Sequence, residues 1–157
     1  MRKRILETAT RDHSADEPRW LDVEREAEVE LTSEDPSHPV ESALRLEGGA
    51  AWRAAEAGVQ TIRLRFAEPQ RVERIRLVFE EREAERTQEF LLRWSDDGGR
   101  SYREIVRQQY SFSPSGAVRE VEDYAVELEG ATAIELRIMP DVSGGGARAS
   151  LSEWRLG

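Results

Sequence analysis

The chain predicts an all-β fold, an eight-stranded antiparallel jelly-roll β-sandwich, and three observations carry that expectation. Between Val59 and Asp97 the apolar residues recur at every second position: Ile62, Leu64 and Phe66, then Ile75, Leu77 and Phe79, then Phe90, Leu92 and Trp94. A period of two is that of a strand with one buried face. The opposite parity carries Thr61, Arg63, Arg65, Arg74, Arg76 and Arg93, which suit a solvated face of mixed charge. The breaks between the runs are Pro69 and the turn residues Asp96, Asp97, Gly98 and Gly99. Such a scaffold leaves function to its loops.

Taken in order, residues 1–18 are polar and irregular and read as an arm, with room for a short helix near residues 4–8. Residues 19–157 then suit one domain, because this length builds a single good core and little more. Val23, Ala27, Val29 and Leu31 share a parity and predict a first strand, although Glu24 to Glu30 also suits a helix. SEDPSHP is a turn-rich loop, since its two prolines exclude a regular element. In residues 40–58 helix-forming alanines compete with the Gly48-Gly49 break, which predicts a loop with a short helical turn. Further strands follow at 102–109, 121–128, 133–139 and 151–156, the third of these placing Ile134, Leu136 and Ile138 on one face. Trp52, Trp94 and Trp154 are assigned to the core.

Composition excludes several classes of function. A net charge of −9 works against nucleic acid, whose binding is built on clustered cations. Lys3 is the single lysine among 23 basic residues, so the positive charge is almost wholly arginine, spread beside acidic neighbours. Cysteine is absent, which removes disulfides, thiolate metal sites and cysteine nucleophiles together. Polar residues follow MRKRIL at once and no membrane-length apolar run occurs, so the expectation is a cytoplasmic protein without membrane insertion.

The usual catalytic patterns are also missing. No HExxH, GxSxG, GxxxxGK[ST] or GxGxxG occurs, and the two histidines, His13 and His38, sit in polar segments as exposed loop residues. Carboxylate pairs such as Glu80 and Glu81, or Glu120 and Glu122, read as solvated charge. Asp96 and Asp97 are explained by the turn, where they can accept from backbone amides. The chain is therefore expected not to be an enzyme.

The stretch VRQQYSFSPSGAVREVEDY is different in kind, because it sets Arg107, Gln108, Gln109, Tyr110 and Phe112 beside a Ser-Pro-Ser-Gly turn. Guanidinium and amide forks suit hydroxyls, and flat rings suit the C–H faces of sugars or the side chains of peptides. Tyr110 and Phe112 equally suit strand residues packed under that loop, and both readings stay open.

From Val40 onward the order of features resembles the discoidin family, the galactose-binding-like or coagulation-factor type C domains that include bacterial family 32 carbohydrate-binding modules. The resemblance is carried by EGGAAW, QTIRLRF, IRLVF, the more specific EFLLRWSDDGGRSYREI, and AIELRIMPDVSGGGARASLSEWRL. It implies a non-catalytic binding module for carbohydrate, with its site on loops at one end, residues 81–87, 108–116 and 140–149. Arg86, Arg107, Gln109, Tyr110 and Arg148 are the candidate ligand contacts there. A protein-interaction or assembly module of the same fold, with a protein partner in place of the sugar, is the alternative. The resemblance also implies a structural calcium ion held by loop carbonyls and acidic side chains. Glu153 falls at one such position and Glu47 lies in the other loop, where glycines stand in place of the expected hard-oxygen ligands.

Overall fold

The computed structural model describes residues 19–47 and 50–157, so the arm expected at 1–18, with His13, lies outside the described residues. Two short helical turns, α1 (Val23–Glu26) and α2 (Glu41–Leu44), accompany the strands β1 (Ala27–Leu31), β2 (Trp52–Ala57), β3 (Gln60–Glu80), β4 (Arg86–Ser95), β5 (Arg103–Phe112), β6 (Arg119–Met139), β7 (Arg148–Leu151) and β8 (Glu153–Leu156). All pairings are antiparallel.

Two long strands build both layers. The first half of β3 pairs with β1 and with the second half of β6, which continues to β4 and β5. The second half of β3 pairs with the first half of β6 and with β8. Between the halves the β3–β6 register shifts repeatedly from Arg65 to Arg74. Pro69 sits in that irregular stretch, which is where a strand tolerates a residue without an N–H; Gly130 bends β6 nearby with a φ of 69°. Pro69 and Gly130 therefore bend strands that the sequence reading had divided.

The two layers face each other across one core. Ile62, Leu64, Ile75, Leu77, Phe79, Phe90, Leu92, Ile134, Leu136 and Ile138 are buried together as their period predicts, and Phe79 meets Phe90 across the layers at 5.2 Å between ring centroids. Phe66 and Trp94 are corrections, being only partly buried. Trp94 keeps the inward parity, opposite Ile134, but stands near the end of β4, where it packs against the core only in part and the Arg103 guanidinium lies 5.4 Å over its ring. Trp52 and Trp154 are fully buried.

Two further expectations change. The predicted first strand begins as the helical turn α1, so both readings of residues 23–31 hold in part. Ala-rich residues 52–57 form β2, paired with β7 in a separate ribbon, because Trp52 and Ala54 find a core to fill on alternate positions.

The outer face of the larger layer is an ordered ladder. Register places Glu30, Arg63, Glu135, Arg93 and Glu104 side by side across β1, β3, β6, β4 and β5. Arg63 Nη2 lies 2.7 Å from Glu135 Oε2 and Arg93 Nη2 lies 2.5 Å from Glu135 Oε1, with the Glu135 side chain 1% exposed. Burial alone would push this carboxyl up. Hydrogen bonds from both arginines outweigh that and hold its pKa below the usual carboxylate range. The Tyr102 ring lies under both guanidinium groups, at 4.7 Å from Arg93 and 5.8 Å from Arg63.

Candidate functional site

Three connections converge beyond the end of the sandwich: residues 81–85 after β3, 113–118 after β5 and 140–147 after β6. Arg86, at the first position of β4, ties them. Its Nε donates to Glu81 Oε1 at 2.8 Å, and its Nη1 donates to Pro140 O at 2.7 Å and to Gln88 Oε1 at 3.1 Å. Its guanidinium lies 4.8 Å over the Phe112 ring. The side chain is 1% exposed, so this charge is compensated internally. Burial raises the Glu81 carboxyl, but the hydrogen bond from Arg86 leaves it lowered. Backbone bonds from Val142 N to Thr87 O and from Glu81 N to Val118 O, each 2.8 Å, complete the frame.

On that frame the 140–147 loop turns tightly. Asp141 Oδ1 accepts from the Ser143 amide at 3.1 Å and from its hydroxyl at 2.8 Å, which holds the Asp141 carboxyl below its ordinary pKa. Gly144 and Gly145 take φ values of 85° and 89°, left-handed backbone that favours glycine.

Between the 81–85 and 140–147 loops lies a cleft of about 410 Å³, lined by Glu83, Glu85, Asp141, Arg148 and Arg53 and by the exposed Gly144 to Gly146. A second recess of about 260 Å³ adjoins it, sharing Arg53, Glu83 and Arg148 and adding His38, Ser150 and Ser152. Arg53 and Arg148 project from the paired strands β2 and β7 and are exposed. Neither takes part in an ion pair or side-chain hydrogen bond among the described residues, whereas the arginines of the outer ladder are all engaged.

The structure divides the residues expected to bind ligand. Arg148 is in the cleft. Arg86 borders it but is committed to the loop frame. Arg107 and Gln109 lie on the outer face of β5, away from the cleft, with Arg107 held by Glu89 at 3.3 Å and by Glu104 at 3.4 Å. Tyr110 has the opposite, inward parity and meets Phe112 edge-on at 5.0 Å. Arg53 was missed. It follows Trp52, and recognising β2 would have put it on the outward parity, opposite the buried tryptophan.

Glu47 and Glu153 stand in different surroundings. Glu47 is exposed after α2, in a shallow depression with Asp22, Glu24, Arg25 and Arg45. Glu153 is engaged on both oxygens, by Arg155 Nη2 at 2.9 Å and by Arg76 Nε at 3.1 Å. Among the described residues no group of three or more histidines and carboxylates is placed to hold a metal, whereas calcium takes six to eight oxygens. Among the described residues the side-chain donors that calcium would need are therefore few, and the Glu153 carboxylate already faces two guanidinium groups.

No family model and no curated protein matches this chain. Solved structures do match. The family 32 module of NanJ from C. perfringens, in complex with galactose, superposes with a TM-score of 0.64 at 13% identity, covering 87% of this chain and 96% of that one. A family 32 module of a Clostridium perfringens protein in complex with GalNAc-β-1,3-galactose gives 0.61 at 19% identity, covering 88% and 99%. The family 32 module of AlyQ, in complex with 4,5-unsaturated mannuronic acid, gives 0.62 at 18% identity, covering 89% and 98%. At these identities the likeness is one of fold: this chain has the β-sandwich of the discoidin-like family 32 modules.

Proposed function

We propose that this chain is a non-catalytic carbohydrate-binding module whose site is the cleft between residues 81–85 and 140–147. The observation that carries this reading is the pair of unengaged guanidinium groups, Arg53 and Arg148, at the mouth of a cleft whose walls are internally braced. Exposed arginine forks bind sugar hydroxyls or carboxylates, and a braced wall loses little freedom when a ligand arrives. The sandwich likeness to sugar-binding modules supports the same reading. Glu81 and Asp141, both with lowered pKa values, are poor proton donors near neutrality and so unsuited to act as general acids.

The assembly alternative gains no support from surface hydrophobicity. Among the described residues the large exposed apolar side chains, Leu46, Val59, Val121 and Val142, lie on four different segments.

The test is a glycan array carrying neutral and uronic-acid oligosaccharides, followed by titration of the best ligand. Specific capture that falls at least about tenfold in Arg148→Ala, with an unchanged melting temperature, is the expected result. No capture on any glycan, or undiminished binding by that variant, would reject the site.

A further inference from the structure

Arg155 ties Glu153, which falls at a position the resemblance gives to a metal ligand, to a carbonyl at the end of α2. Its side chain is 6% exposed. Its Nη1 donates to the carbonyl of Arg45, and its Nη2 donates to Glu153 Oε1 at 2.9 Å. Arg45 caps α2, whose Ala43 and Leu44 are buried in the core, and it opens the segment leading to Trp52. A single guanidinium therefore links the C-terminal strand β8 to the loop that enters β2.

Guanidinium chemistry suits this task. It is always charged, and its planar fork presents donors to two oxygens on different elements at once. A divalent cation at the Glu153 carboxylate would compete for oxygens that Arg155 and Arg76 already face, and it would stand against their positive charges. We infer that Arg155 takes the place of a structural metal ion here, so that the chain at Arg45 is tied to β8 by a permanent side-chain cation and the module is independent of calcium. The inference does not depend on which ligand the cleft takes.

Thermal melts of the full chain, in millimolar calcium and in excess EDTA, test it. The wild-type melting temperature should agree within about 1 °C between the two. Arg155→Met should lower it by about 5 °C or more in both conditions. Glu153→Gln should also lower it, and the double variant should lose less than the sum of the single losses, because each change strands the partner that the other removes. A merely packed aliphatic stem would give no such coupling. If Arg155→Met does not fold, Arg155→Lys replaces it: one ammonium cannot reproduce the fork, so an intermediate melting temperature without a calcium response is expected. A wild-type melting temperature raised by calcium overturns the inference, as do additive single losses or an Arg155→Lys protein as stable as wild type.

Discussion

The outer face of the larger layer and the cleft beyond its end use the same residue in opposite ways. On the sheet face, Arg63 and Arg93 converge on the buried carboxylate of Glu135 and stack on Tyr102. At the cleft, Arg53 and Arg148 stand exposed with no carboxylate engaged among the described residues. Arg86 lies between the two cases, touching the cleft while wholly spent on Glu81, Pro140 and Phe112. In a chain this rich in arginine, the residue type marks nothing by itself. What separates a structural guanidinium from a candidate ligand contact is whether the fold has already supplied its partner.

The largest expected effect breaks the ladder at its centre. Glu135→Gln should destabilise the protein by about 3 kcal/mol, the lower end for removing one partner of a buried ion pair, because the arginines left behind are partly solvated. Saccharide binding should be retained by the folded fraction. Denaturant melts paired with binding titrations check this, and a loss of affinity without a loss of stability would erase the contrast.

The reverse dissociation is expected at the cleft. Arg53→Ala combined with Arg148→Ala should leave the melting temperature within a degree or so of wild type, as surface changes do. The same pair should cost ligand binding on the order of 1–3 kcal/mol. Calorimetric titration of the wild type and the double variant reads both quantities.

Acid and base should act on the two kinds of carboxyl in opposite directions. Glu135 has a lowered pKa in the fold, so its contribution is fully present above the ordinary value of 4.5 and is lost as pH falls through the folded value. Burial pushes Glu120 up to about 9, aided by Glu122, which also accepts from the Tyr124 hydroxyl at 2.6 Å. Folding then retains a proton that the unfolded chain has released, so stability falls as pH rises from 4.5 towards 9. Glu120→Gln should therefore melt higher than wild type at about pH 8 and show a smaller gain at about pH 5. A constant difference across that range would mean that Glu120 does not carry the extra proton.

The smallest effect is expected at Arg107. Its two glutamate partners are on an exposed face, so Arg107→Ala should change stability by less than about 0.5 kcal/mol. It should also leave binding unchanged, and weakened binding in titration would move the site to the outer face of β5.

Much of the architecture was legible because burial on one face of a strand imposes a period of two, and Ile62, Leu77, Phe90 and Leu136 obey it whatever their neighbours are. Asp97 was legible too, since a turn is local: the Ser101 amide donates to its Oδ1 at 2.9 Å. The strand β2 was not, because alanine favours helix in isolation and only the partner β7 and the core around Trp52 reverse that preference. Nor did Pro69 divide β3, because a register shift against β6 accommodates it.

By itself, then, the order of residues determined that the chain alternates, turns and buries one face of its strands as a sandwich. The division of labour among its arginines was decided only by tertiary structure. Arg86 and Arg148 look alike in sequence, yet one meets a carbonyl 54 positions away and the other meets solvent. Whether a charge is compensated depends on groups brought close in space, and a linear pattern carries no record of those distances.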